Sequence, residues 1–219
     1  GDYVAKARKV IKDDLGNDTA VLFLQGCCGN IRVRTIKDGR FRGGTWEDID
    51  NFGNQVGKSV VKLCQEEMKL LDTNVTTELF KIMLPLQRIP DAVELENIME
   101  NGNPHEKIWA GEMLSRYDSL SEEVPFTIQR LSLGENFSII AMSGEVCVEY
   151  GLYLKNNSNG KIVMPAAYCN GIVGYIPTEE MFEQGGYEPV RSTIYYGLPA
   201  LFDKSIERRV INVLDSINK

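Results

Sequence analysis

The feature that most constrains the fold is the alternation of short apolar segments with segments whose apolar residues recur every three to four positions. Residues 20–25 form an unbroken apolar run, which predicts a strand covered on both faces. Residues 3–15, 45–70 and 198–217 show the helical repeat, and Thr45 is a suitable helix cap. This alternation predicts an α/β domain in which helices flank a β-sheet.

A hairpin signal indicates that the sheet is not all parallel. Residues 124–133 and 136–142 flank Gly134 and Glu135, a pair typical of a tight turn between antiparallel strands. We therefore expect one layered α/β domain over residues 1–219, with a mixed β-sheet flanked by helices. The same patterns predict strands at 76–86, near a sheet edge because of Pro85, and at 161–165, and helices at 90–101, 106–120 and 144–155, with Thr178 capping a short further helix.

Charge and composition exclude several classes of function. The 219 residues include 24 basic and 31 acidic ones, a net charge of −7, which argues against nucleic acid as a partner. No apolar window reaches the ~20 residues of a transmembrane segment, and no secretion signal is visible at the start of this sequence. Five irregularly spaced cysteines and a single histidine, His105, do not match a disulfide framework or a structural zinc site. We expect His105 in an exposed loop or helix start.

Three loops are expected where ligands of open α/β sheets bind, beyond the carboxyl ends of buried strands. They are residues 26–34, 143–146 and 166–176. The first is rich in glycine and carries Arg32 and Arg34, so it resembles an anion-binding nest, although it lacks the lysine and hydroxyl of a P-loop. A nucleotide-binding domain is therefore one hypothesis for this chain.

The other two loops carry candidate site residues, each with two interpretations. Glu145 follows a glycine between a predicted strand and helix, where an acid either stabilises the helix start or acts as a metal ligand or base. Tyr175 lies before a proline and a helix start, where it either packs with its hydroxyl on the backbone or faces a ligand. Tyr187 belongs to a stretch dense in phenols, suited either to donate to an oxyanion or to stack on the final helix.

Taken in order, these segments resemble the second half of the catalytic domain of neutral (alkaline, non-lysosomal) ceramidases and their bacterial relatives. The blocks that carry the resemblance are LFLQGCCGNI at 22–31, SGEV at 143–146, NGIVGYIPTEE at 170–180, GYE at 186–188 and STIY at 192–195. Their order and approximate separations agree over nearly the whole chain. Each block is modest by itself, whereas the ordered set is fairly specific.

The resemblance implies a zinc-dependent amidase whose metal is held by two histidines, a glutamate and a tyrosine. The glutamate matches Glu145 and the tyrosine ligand matches Tyr175, while Tyr187 matches a further tyrosine that donates a hydroxyl to substrate or intermediate. The two histidines lie in the earlier half of that domain, and His105 matches neither. This chain is therefore expected to be the C-terminal portion of such a domain, with the N-terminal half as its partner and an incomplete zinc site when alone.

One departure bears on the substrate. Ceramidases proper place a nucleophilic serine in a Gly-Asp-Val-Ser-Pro-Asn type hexapeptide, whereas the corresponding run at 29–34 has Arg32 in the serine position. A guanidinium stays protonated and cannot be that nucleophile. The resemblance then implies zinc-activated water acting on an amide or related bond of a small or lipid-like substrate, and we expect Arg32 or Arg34 to face a substrate anion. The alternative hypothesis is a non-catalytic ligand-binding or structural module on the same fold.

Overall fold

The structure, a computed structural model, describes residues 2–217, which form two compact units. One comprises residues 2–24 and 32–70, and the other comprises residues 25–31 and 71–217. No helix within these described residues is long and apolar enough to cross a membrane.

The first unit is a pair of helices with a small hairpin. Helix α1 (Tyr3–Leu15) and helix α2 (Trp46–Cys64) pack on each other, and strands β1 (Ile36–Lys37) and β2 (Arg40–Phe41) pair antiparallel. Helix α2 begins after a capping box in which Thr45 and Asp48 satisfy each other's backbone N–H groups. The predicted start of α2 and the predicted extent of α1 are therefore confirmed.

Helix α2 does not bury the apolar stripe that the sequence suggested. Trp46 is 78% exposed and Leu63 is 58% exposed, while Leu70 lies beyond the helix. The buried positions are instead Gly53 and Gly57, where α1 approaches closely. The missing side chains at the glycines allow this contact. Of the predicted apolar stripe, Ile49, Phe52 and Val60 are half-buried, whereas the prediction was wrong at Trp46 and Leu63.

The apolar run at 20–25 is not a buried strand. Residues 20–24 have no regular secondary structure, and Leu22 is 93% exposed. Gln25, at the end of the run, does form a backbone hydrogen bond: its carbonyl oxygen accepts from Ala167 N–H at 2.9 Å. An apolar run becomes a buried strand only when neighbouring strands supply hydrogen-bond partners, and no strand within residues 2–217 pairs with residues 20–24.

The second unit contains a mixed four-stranded sheet covered by helices. The unit has six strands, β3 (Val75–Pro85), β4 (Glu123–Leu133), β5 (Phe137–Met142), β6 (Glu145–Val146), β7 (Ile162–Ala166) and β8 (Tyr175–Ile176). Of these, β6 and β8 pair with each other outside the four-stranded sheet. The sheet order is β3-β4-β5-β7, with antiparallel pairs at β3/β4 and β4/β5 and a parallel pair at β5/β7. The α/β class, the mixed sheet, the hairpin and the edge position of β3 are all confirmed.

Helices complete the second unit around this sheet. They are α3 (Ala92–Asn101), α4 (Pro104–Ser115), α5 (Val148–Asn156), α6 (Glu179–Gln184) and α7 (Ile206–Ile217). The core lies between the sheet and α5 and α7, with Phe126, Ile140, Tyr150 and Leu214 almost fully buried. Helix α7 starts eight residues later than 198, because Phe202 forms an isolated β-bridge with Leu86 instead of a helical turn.

Candidate functional site

Two short parallel strands create the central contact of the site. Strand β6 pairs with β8 so that Glu145 lies opposite Tyr175. Gly144 makes the turn out of β5 with a φ of +84°, and Glu145 N–H donates to the Gly174 carbonyl at 2.8 Å. Register partners in a parallel pair project to the same face, so this pairing brings the two predicted site residues together. The expected convergence of Glu145 and Tyr175 is thus present.

Glu145 is in an extended strand and not in a helix. Helix α5 begins at Val148, after the β6 pair, so the prediction of a helix from residue 144 was wrong at its start. The pairing of β6 with β8 holds the backbone extended at this point. Stabilising the first turn of a helix is therefore not the role of Glu145.

Two phenols donate to the carboxylate of Glu145. Tyr168 Oη donates to Oε2 at 2.8 Å, and Tyr196 Oη donates to Oε1. A third phenol, that of Tyr175, lies on the neighbouring strand as the register partner of Glu145. We call Glu145 with these three tyrosines the tyrosine–carboxylate cluster. Charge-assisted hydrogen bonds of this kind are about twice as strong as neutral ones.

The phenols of this cluster are neutral donors. Burial is the main cause that raises the pKa of Tyr175 and Tyr196 above the ordinary tyrosine value, and the nearby Glu145 carboxylate raises both further. Burial also raises the pKa of Tyr168, followed by its contacts with Cys28 and Glu145. Each phenol therefore keeps its proton at neutral pH.

Tyr168 reaches Glu145 from an unusual backbone conformation. Its φ of +59° lies in the left-handed region, which large side chains rarely occupy, and its N–H donates to the Gly144 carbonyl at 3.0 Å. Such a conformation costs of order 1–3 kcal/mol and persists where surrounding contacts fix it. The Tyr168 hydroxyl oxygen also lies 3.6 Å from Cys28 Sγ.

The loop at 25–31 is attached to this region by its backbone and by one side chain. Gly29 N–H donates to the Val146 carbonyl at 2.9 Å, and Asn30 Oδ1 accepts from Val148 N–H at 2.8 Å. Burial raises the pKa of the Cys27 thiol to about 12 and raises that of Cys147 as well. Both stay protonated thiols at neutral pH and so are not nucleophiles of the reactive kind.

A second layer of rings extends outward from the cluster. Tyr187 is 39% exposed, and its ring meets that of Tyr175 edge-on at 5.7 Å. Tyr195 lies 6.2 Å from Tyr187, and His105 lies 5.4 Å from Tyr195, all measured between ring centroids. His105 is exposed in the first turn of α4, as predicted. Tyr187 is therefore beside the predicted ligand Tyr175, with an accessible side chain.

Arg32 and Arg34 belong to the first unit. The Arg32 guanidinium lies 4.9 Å above the centre of the Phe41 ring, and Arg34 is exposed. Such a cation–π contact is worth about 0.5–1 kcal/mol at exposed sites. Their role toward a substrate anion stays a prediction.

The donor set of the cluster suits part of a zinc site. The Glu145 carboxylate and the Tyr175 phenol are hard oxygen donors, and zinc accepts oxygen along with nitrogen and sulfur ligands. Within residues 2–217 no group of three or more histidine, cysteine, aspartate or glutamate side chains could hold a metal ion. The residues present thus fit two positions of a four-ligand set, and further ligands would have to come from outside the described chain. Zinc stays a prediction.

Sequence reasoning did not assign Tyr168 or Tyr196 to Glu145. Both lie in segments noted for other reasons, Tyr168 before the 170–180 block and Tyr196 in the stretch dense in phenols. Their convergence depends on contacts 23 and 51 residues apart in sequence. The richness in tyrosine near two glycine-containing loops was the available signal, although it did not point to a particular partner.

Comparison with known proteins supports the fold. No protein-family model and no curated protein matches the sequence. Among solved structures, the chain is similar to neutral ceramidase from Pseudomonas aeruginosa, with a TM-score of 0.57 and 14% sequence identity. The match covers 97% of this chain and 39% of that chain, so this chain spans well under half of its length. The likeness shows a ceramidase-like α/β fold.

Proposed function

We propose that this chain is the C-terminal portion of a ceramidase-like catalytic domain that hydrolyses an amide or related bond with the help of zinc. The observation that carries the proposal is the convergence of Glu145 and Tyr175 through the pairing of β6 with β8. The ceramidase-like fold and the ordered sequence blocks support it. In this proposal Glu145 and Tyr175 are two zinc ligands, and two histidines come from residues outside this chain.

The chain's own residues would prepare the carboxylate for that role. Tyr168 and Tyr196 donate to the two oxygens of Glu145 and fix the plane of its carboxylate. For Tyr175 to ligate a cation, its hydroxyl oxygen must offer a lone pair to that cation. Zinc bound there would polarise the substrate carbonyl as a Lewis acid and lower the pKa of water to about 7.

Tyr187 is the proposed donor to the substrate. Its hydroxyl is accessible beside Tyr175, so it can hydrogen-bond to a carbonyl oxygen on which negative charge develops. Arg32 and Arg34 are proposed to contact an anionic group of the substrate. In Arg32→Ala we expect the Michaelis constant to rise for an anionic substrate and to stay the same for its uncharged analogue; equal changes for both would remove Arg32 from this role.

Metal content tests the central proposal without any knowledge of the substrate. In the longer protein that includes this chain and the expected histidines, elemental analysis should find about one zinc per molecule. Glu145→Ala should remove it, whereas Glu135→Ala, which changes an exposed carboxylate in the β4–β5 turn, should retain it. Equal zinc in the two variants would refute a ligand role for Glu145.

The second candidate is a non-catalytic binding module. One observation favours it: each oxygen of the Glu145 carboxylate already accepts a hydrogen bond from a phenol of this chain, so both oxygens have partners without a cation. In that case the longer protein contains no zinc in any variant. The metal analysis described above therefore distinguishes the two functions.

A further inference from the structure

A cavity beside the tyrosine–carboxylate cluster has the size of a ligand site. It lies between the α3–α4 hairpin and residues 190–195 and has a volume of about 480 Å³. Small-molecule sites usually have volumes of about 300–1,000 Å³. We call it the hairpin cavity. The block at 192–195 supplies Ile194 and Tyr195 to its walls, whereas the proposed zinc ligands do not line it.

Aromatic rings lie between the hairpin cavity and the site. Tyr195 lines the cavity, its ring lies 6.2 Å from that of Tyr187, and Tyr187 meets Tyr175 at 5.7 Å. Tyr175 is the register partner of Glu145. A row of neighbouring rings therefore connects the wall of the cavity with the tyrosine–carboxylate cluster.

One unpaired cation lines the cavity. The Arg191 guanidinium forms no ion pair and no side-chain hydrogen bond with any of residues 2–217. Glu106 also lines this wall, but its carboxylate does not pair with Arg191. Its Oε2 accepts from Asn103 N–H at 2.8 Å in the capping box of α4. A planar guanidinium without a partner matches a carboxylate, which it can bind through two parallel hydrogen bonds. The net charge of −7 would repel anions elsewhere, so such a ligand needs this local cation.

Two asparagines on α3 offer the groups that pair with an amide. Asn101 Nδ2 donates to Asn97 Oδ1 at 2.7 Å. Among the described residues, the amide N–H groups of Asn97 and the Oδ1 atom of Asn101 have no hydrogen-bond partner, and both side chains line the cavity. One free donor and one free acceptor side by side match the carbonyl and N–H of a peptide group.

The remaining walls are apolar. Ile98, Val190 and Ile194 contribute aliphatic side chains. Trp109 is 7% exposed, and its Nε1–H donates to the Leu198 carbonyl at 2.8 Å, so its ring presents apolar surface to the cavity. These walls suit aliphatic side chains of a ligand.

We propose that the hairpin cavity binds the end of a short N-acylated peptide that has a free carboxylate and aliphatic side chains. Arg191 binds the carboxylate, and Asn97 and Asn101 bind the last peptide group. The inference rests on the proposed hydrolase only in that the bound peptide is then a substrate. Binding itself requires neither zinc nor turnover.

Trp109 provides a direct test with the 219-residue chain. The sequence has two tryptophans, so Trp46→Phe leaves Trp109, located in the cavity wall, as the single tryptophan, whose emission can be excited selectively over that of the tyrosines. Titration with N-acetyl-Leu-Leu should change its emission saturably. The C-terminal amide of the same peptide should bind at least about ten-fold more weakly, because it lacks the charge that meets the guanidinium.

Variants then assign this preference to Arg191. Arg191→Gln should abolish the difference in affinity between the acid and the amide, and Arg191→Lys should keep part of it. Arg208 is the control, since it is exposed on α7 and forms no ion pair with the described residues; Arg208→Gln should leave the difference unchanged. Equal affinities for acid and amide, a preference that survives Arg191→Gln, or no emission change with either peptide would overturn the inference. Peptide binding without zinc in the longer protein would keep the inference and refute the hydrolase; zinc without peptide binding would do the reverse.

Discussion

Replacing Gly57 by alanine should destabilise the first unit, although alanine is the better helix former. Gly57 is buried in α2 against α1, and a Cβ built on it would lie 2.7 Å from Val10 Cβ and 3.0 Å from the Ala7 carbonyl oxygen. The Val10 Cβ is fixed by its backbone and no rotamer change moves it. The two helices would have to separate to accommodate the new methyl group.

The balance of two effects gives the magnitude. Glycine to alanine within a helix gains about 1 kcal/mol of intrinsic propensity. Overpacking a close contact costs about 1–3 kcal/mol, and the backbone contact at Gly57 favours the upper part of that range. We expect a net loss of about 1–2 kcal/mol. Gly111 in α4 is the matched control: its Cβ would meet Met99 Sδ at 3.8 Å, an ordinary contact, so Gly111→Ala should gain up to about 1 kcal/mol.

Hydrogen exchange followed by mass spectrometry measures each helix separately. In Gly57→Ala, amides in α1 and α2 should exchange about 5–30 times faster, while those in α3 and α4 keep their rates. In Gly111→Ala, amides in α4 should exchange more slowly. Slower exchange of α1 and α2 in Gly57→Ala would mean that propensity outweighs packing, which would refute this account of the helix pair.

Three further predictions concern the second unit. Burial raises the pKa of Tyr150 well above 10, and its hydroxyl donates to the Pro177 carbonyl. Below pH 10 this phenol is neutral in both the folded and the unfolded state, so its contribution to the free energy of unfolding should be complete there and decrease at higher pH. Urea unfolding should therefore show a shallower loss of stability between about pH 8 and about pH 11 in Tyr150→Phe than in the unmodified chain. Gly29→Ala places a Cβ against the Glu145 carbonyl oxygen, so exchange of the β6 amides should accelerate, whereas unchanged exchange would contradict the tight fit. Tyr187→Phe should reduce kcat of the longer protein by about 10²–10³ with intact zinc content; an unchanged kcat would remove Tyr187 from the reaction.

The sequence was most informative where local signals and the final fold agree. The hairpin around Gly134, the edge strand before Pro85 and the cap at Thr45 all depend on residues close in sequence, and each was predicted near its observed position. The predicted burial of the run at 20–25 and of Trp46 and Leu63 in α2 was wrong for a common reason. Apolar residues show that burial is favourable, but the partner surface decides which of them are buried.

Glu145 and its neighbours show the same division. The sequence indicated that Glu145 and Tyr175 belong to one sheet edge, because glycines precede both and buried strands lead to both loops. It did not indicate the strand pairing that makes Glu145 extended, nor the donation from Tyr168 and Tyr196. Those contacts join segments far apart along the chain, and no local pattern of a single sequence encodes them.

The pairing of β6 with β8 has a consequence for how relatives of this chain would be recognised. Gly144 and Gly174 both have a positive φ, and each directly precedes a site residue. Two residues per strand suffice to align Glu145 with Tyr175. The segment that connects β6 to β8, through α5 and β7, only has to bring β8 back beside β6, so its length can differ between homologues. A search pattern built on a fixed gap would lose distant homologues, whereas one built on the dipeptides Gly-Glu and Gly-Tyr with an elastic gap would retain them.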